Sequence, residues 1–121
     1  MGKFLSALHM REDNGFTVRL SKPLVFASGL QLPTETYCVP KDFQTDFASV
    51  PRFLWPLLPP HGRVKKAAIL HDWLYQQSHI PREHCDRVFL EAMTADHVPP
   101  VQRWAMYEGV RLFGWIYRPT T

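Results

Sequence analysis

Residues 63–77, Arg63-Val64-Lys65-Lys66-Ala67-Ala68-Ile69-Leu70-His71-Asp72-Trp73-Leu74-Tyr75-Gln76-Gln77, decide how the chain is read. Val64, Ala67, Ala68, His71, Leu74 and Tyr75 fall on one face at helical spacing. One member of the inward stripe, His71, is polar where the pattern calls for an apolar side chain. Asp72 points about 100° away from it, toward the flank of the same helix.

A second helix comes after the short Ser78-His79-Ile80 turn and begins near Pro81, a residue suited to a first helical turn. Its stripe carries Asp86, Phe89, Leu90 and Met93, so Asp86 is again a polar residue on an inward face. Burying a carboxylate without a partner is costly, so Asp86 needs a donor, and a histidine on the facing helix is a natural one. Two helices joined by so short a turn run antiparallel and can bring positions 71 and 86 together. Tyr75, one turn after His71, can reach the same carboxylate. A third helix succeeds Pro99-Pro100, with Trp104, Tyr107, Val110 and Phe113 recurring every three residues.

Upstream the chain changes character. Over 45–62, Pro51, Pro56, Pro59 and Pro60 forbid a long helix, while Phe53, Leu54, Trp55, Leu57 and Leu58 make the segment apolar. Such a loop either lies over the core or offers an apolar lip to lipid or a partner. Before it, Phe16 to Leu20 alternates after Asn14-Gly15, a hairpin signal. Leu24 to Ala27 and Glu35 to Val39 are two further strands, cut apart by Gly29 and Pro33. The prediction is an α+β fold: a small N-terminal antiparallel β-sheet, then three helices built round an antiparallel helix pair. It forms a single domain over 1–121, mainly strands to 44, a Pro-rich apolar loop over 45–62 and helical from 63.

At 121 residues the chain can bury one modest core. A net charge of +3 is within the ordinary soluble range. With no basic motif interleaved with aromatics, no nucleic-acid partner is expected. Arg63, Lys65, Lys66, Arg82 and Arg87 are candidates for a basic rim, suited if functional to anionic lipid headgroups. Cys38 and Cys85 form no CxxC pair or zinc spacing and read as free thiols of a reducing compartment. No signal-peptide core and no membrane span is apparent, which predicts synthesis in the cytoplasm. His9, His79, His84 and His97 read as solvated surface residues.

The run Thr45-Asp46-Phe47-Ala48-Ser49-Val50-Pro51-Arg52, followed by Ala67-Ala68-Ile69-Leu70-His71-Asp72 and Tyr75, resembles a family of small uncharacterised proteins encoded in tailed-phage and prophage genomes. That likeness covers nearly the whole chain. Residues 45–114 are more distantly similar to the phospholipase A2 class, in its compact bacterial and fungal form. The matching elements, in the same order, are Thr45-Asp46-Phe47, His71-Asp72 with Tyr75, Asp86 with Phe89 and Met93, and Trp104, Tyr107, Val110, Phe113 and Gly114.

The resemblance implies a calcium-dependent ester hydrolase. His71 would be the general base toward water, Asp86 would orient it and Tyr75 would brace Asp86. Calcium would be held by the carboxylates of Asp46 and Asp72 and the carbonyl of Phe47, oxygen donors suited to a hard cation. The expected partner is a phospholipid surface, touched by Phe53, Leu54, Trp55, Leu57 and Leu58, or other phage structural proteins. The protein would be made in the host cytoplasm and can enter the phage particle. The chain departs from the secreted enzymes in its two cysteines and in having only Gly62 between Asp46 and His71.

Two alternatives stand beside this reading. His71, Tyr75 and Asp86 can instead form a hydrogen-bond cluster that only fixes the core of a non-catalytic virion, tail or assembly component. His61 ahead of His71-Asp72 invites comparison with His-Asp phosphohydrolases, but the order of motifs is not theirs.

Overall fold

The computed structural model describes residues 2–14, 17–29, 35–45, 63–77 and 79–114. In chain order the elements are strands β1 (Lys3–Phe4), β2 (Met10–Asn14), β3 (Thr17–Leu20), β4 (Leu24–Ser28), β5 (Glu35–Val39) and β6 (Gln44–Thr45). Helices α1 (Arg63–Tyr75), α2 (Arg82–Ala95) and α3 (Pro100–Phe113) follow among the described residues.

Period-two alternation builds the strand half. In β3, Val18 and Leu20 are buried while Thr17 and Arg19 are half-buried, and in β4 Leu24, Phe26 and Ser28 point inward. β2 pairs antiparallel with β3, and the pairing reaches Asn14 opposite Thr17, the two residues that flank Gly15-Phe16. The strands do not join into one sheet. They form two antiparallel three-stranded sheets, ordered β1-β4-β5 and β2-β3-β6. A two-residue strand such as β1 or β6 is too short to leave a sequence signal, so the division could not be foreseen. The register of the second sheet places Thr45 opposite Val18, at the edge that meets α1.

α1 is the most deeply buried of the three helices. From Val64 to Tyr75 only Lys65, Lys66 and Trp73 are even partly exposed, so it is buried around most of its circumference. α2 packs against it antiparallel, with Leu74 meeting Cys85, His71 meeting Phe89 and Lys66 meeting Asp96. Prolines set the helix starts, with Pro81 and Pro99 as N-caps in extended conformation. α2 ends where His97 turns left-handed at φ 61°. The N–H of Val98 then reaches Met93 O and that of His97 reaches Thr94 O, the paired bonds that close a helix end.

The expected helical runs are therefore present, and the three-residue recurrence of Trp104, Tyr107, Val110 and Phe113 does not coincide with the buried face of α3. Val110 is buried, together with Met106 and Gly109, while Trp104 is 49% and Phe113 39% exposed. A strict three-residue step drifts by about 60° each time around a helix, so positions 104 and 113 lie on opposite sides. The basic rim is also broken up. Lys66 lies 3.9 Å from Asp96 and above the Phe4 ring, Arg87 pairs with Glu83, and Arg82 turns inward. Cys38 is exposed, Cys85 is buried, and both are free thiols. Among the described residues no helix is long and apolar enough to cross a membrane.

Candidate functional site

Asp86 has no solvent exposure and lies where α1, α2 and α3 meet. Its Oδ1 is 2.7 Å from His71 Nε2 and accepts the Tyr75 hydroxyl at 2.5 Å. Its Oδ2 accepts from Arg111 Nη1 at 2.8 Å, and Arg82 Nη1 lies 3.5 Å away. His71 and Tyr75 are one turn apart on α1, so helical geometry alone aims both at the same oxygen. Arg82 precedes Asp86 by one turn of α2 and also donates to the carbonyls of Val110 and Arg111, tying the start of α2 to the end of α3.

Burial works against charge on Asp86, yet hydrogen bonds from His71, Tyr75 and Arg111 hold its carboxyl below the usual carboxylate range. An ionised carboxylate only accepts, so the hydrogen of the short His71 contact sits on Nε2. Burial, with the Asp86 charge beside it, pushes the Tyr75 hydroxyl far above the phenol range and keeps it a donor. Arg111 loses some solvation, but its bond to Asp86 holds the guanidinium protonated more firmly still. The His71 ring is enclosed by Tyr75, 4.2 Å between centroids, and by Phe89 at 4.5 Å, and it is fully buried. Gly114 sits against Tyr75 and Arg82: a Cβ there would run into the Tyr75 hydroxyl and come within 3.1 Å of Arg82 Nη1.

Asp72 lies on the flank of α1, 7% exposed, where Thr45 Oγ1 donates to its Oδ2. The β6 strand that carries Thr45 therefore docks onto the residue next to His71, and Thr45 is the residue before Asp46 in the chain. Asp46 and Phe47, the other two expected calcium ligands, lie outside the described residues, as do Phe53, Leu54, Trp55, Leu57 and Leu58. Among the described residues no group of three or more His, Cys, Asp or Glu is placed to hold a metal ion. Asp72 by itself is a hard oxygen donor of the kind calcium takes.

Three participants escape a reading of the sequence. Arg82 looks like part of a surface rim, Arg111 bears no mark of its own, and Thr45 stands out only as part of a motif. A signal does exist for the arginines: a buried carboxylate with one oxygen engaged by His71 and Tyr75 needs donors for the other. Of the four histidines expected at the surface, His9, His79 and His97 are exposed, but His84 is half-buried with Nε2 2.9 Å from the Tyr37 hydroxyl.

Fold and site together define a small α+β protein organised around one buried carboxylate, with a histidine, a tyrosine and two arginines converging on it. The chain belongs to the family described as protein of unknown function (DUF1353), whose model matches residues 18–110 and so takes in His71, Asp72, Tyr75, Arg82 and Asp86. No curated protein and no solved structure matches the chain.

Proposed function

We propose that the protein is a phage-associated, calcium-dependent hydrolase of the phospholipase A2 type, acting on lipid esters. The observation that carries this reading is the convergence of His71 Nε2 and the Tyr75 hydroxyl on one oxygen of buried Asp86, with Asp72 adjacent to His71 in the chain. A carboxylate that holds one imidazole nitrogen and its proton leaves Nδ1 as the basic atom, the arrangement used to activate water. His71 takes a proton from water at Nδ1 as the water oxygen attacks the ester carbonyl carbon. The tetrahedral intermediate collapses, the carbon–oxygen bond to the leaving alcohol breaks, and the imidazolium returns its proton to that alkoxide. The products are a fatty acid and a lysolipid. Calcium bound by Asp72, Asp46 and the Phe47 carbonyl would polarise the ester carbonyl. The apolar residues Phe53, Leu54, Trp55, Leu57 and Leu58 supply the contact with the phospholipid surface.

A second reading rests on a different observation. His71 is fully enclosed and both oxygens of Asp86 are engaged by side chains, which suits a cluster that fastens three helices of a non-catalytic virion, tail or assembly component. Catalysis requires the cluster to open to water when substrate binds; fastening does not.

Fatty-acid release from mixed anionic and zwitterionic phospholipid vesicles separates the two. Release with calcium that stops on adding chelator is the expected result. Calcium-independent release would exclude the proposed metal role, and no release from any vesicle would leave the scaffold reading.

A further inference from the structure

On the far side of the α1–α2 pair lies a cavity of about 490 Å3, lined by Glu35, Tyr37, Trp73, His79, Ile80, Pro81 and His84. Position 73 is two residues from 71 and 84 is two from 86, about 200° around each helix, so the cavity faces away from the His71–Asp86 cluster. Its size lies within the range of small-molecule sites.

The lining is asymmetric in charge and chemistry. Among the described residues that line it, Glu35, at the exposed start of β5, is the one carboxylate, and none is a lysine or arginine. Tyr37 is only 6% exposed, and burial together with the Glu35 carboxylate beside it pushes its hydroxyl far above the phenol range. Tyr37 therefore remains a donor that steadies Glu35, and His84 Nε2, 2.9 Å from the Tyr37 oxygen, completes the chain of contacts. Beside these polar groups the lining has an apolar part: Trp73 and Ile80 pack against the hydrophobic core, and Pro81 adds to them. A carboxylate and an indole lining one cavity, with apolar surface beside them, make an environment that attracts a weakly hydrated organic cation.

We propose that this cavity binds a small organic ammonium ion, with the Glu35 carboxylate as counter-charge and the Trp73 and Tyr37 rings as its aromatic wall. The start of α2 and the two imidazoles would by themselves suit an anion, but Glu35 repels one, and Glu83 already occupies the first turn of that helix. The site needs neither calcium nor His71, so it stands apart from the hydrolase reading. Ammonium ions of this kind occur free, as choline and related amines, and as lipid headgroups.

The test is isothermal titration of the full chain with choline chloride and, separately, inorganic phosphate, in chelator. Saturable choline binding that weakens roughly tenfold in Glu35→Gln is expected, with phosphate giving no heat of binding. Trp73→Leu, checked for folding by its melting curve, should weaken binding by a similar factor. No saturation by choline up to about 50 mM, equal affinity in Glu35→Gln, or binding of phosphate in its place would overturn the proposal. Co-sedimentation with phosphatidylcholine vesicles that free choline displaces would assign a headgroup ligand; choline binding without vesicle binding would assign a free amine.

Discussion

Replacing Asp86 with asparagine should be among the most damaging single changes in the protein. The carboxylate has no solvent exposure and accepts from His71, Tyr75 and Arg111, with Arg82 3.5 Å away. Asparagine keeps one oxygen for His71 and Tyr75 but turns an amide donor toward the two arginines, leaving donors facing donors and uncompensated positive charge. Removing one partner from a buried ion pair costs about 3–5 kcal/mol. For a chain of 121 residues, unfolding entropy of about 2.1 cal/mol/K per residue converts 1 kcal/mol to roughly 4 °C, so the melting temperature should fall by about 12–20 °C. Because the folded-state pKa of Asp86 is lowered, its contribution is fully present above the unfolded carboxylate value. It is lost as pH falls below about 4, through the folded value, so the gap between native and variant should be full at neutral pH and narrow under acid. Thermal melts followed by circular dichroism at a series of pH values measure both. A fall of less than about 4 °C at neutral pH, or a gap that does not change under acid, would refute the reasoning.

The same geometry sets three further outcomes. Asp72→Asn keeps an acceptor for Thr45 but loses the charge that calcium needs, so calcium should raise the melting temperature of the native protein and not of the variant; equal shifts would dismiss Asp72 as a ligand. Gly114→Ala drives a methyl into the Tyr75 hydroxyl and should lower stability by about 1–3 kcal/mol, read as a shifted urea midpoint, with an unchanged midpoint showing that the enclosure has room to give. Trp55→Ser should weaken co-sedimentation with phospholipid vesicles or purified particles, and unchanged sedimentation would remove the apolar loop from the functional account.

What the sequence discloses is limited by the reach of local periodicity. His71, Tyr75 and Asp86 stand out because each is a polar or hydroxyl-bearing side chain on a stripe that helical spacing sends inward, and a short turn leaves their two helices little choice but to face each other. Arg111 and Thr45 meet the same region from α3 and β6, across 25 and 27 residues of chain; nothing in its own neighbourhood marks Arg111, and the motif that marks Thr45 does not disclose its partner. The strands that alternate, β3 and β4, are legible, whereas the split into two sheets depends on β1 and β6, whose two residues apiece carry no pattern. α3 misleads for a simpler reason: aromatics every three residues look like a face but wind around the helix, and the residues that are buried, Met106, Gly109 and Val110, include a glycine with no hydrophobic signal. His84 looks like a surface residue because its partner, Tyr37, lies 47 positions away on a strand.

The rate of fatty-acid release by His71→Gln relative to the native protein, in calcium and on vesicles that the native protein hydrolyses, tests the central claim most directly. Glutamine retains a donor for Asp86, so the fold is largely kept while the basic nitrogen is lost. A general base is worth about 100- to 10,000-fold, so the variant should lose at least two orders of magnitude in rate while its melting curve stays cooperative. A variant that releases fatty acid at the native rate would contradict the account and remove His71 from the chemistry.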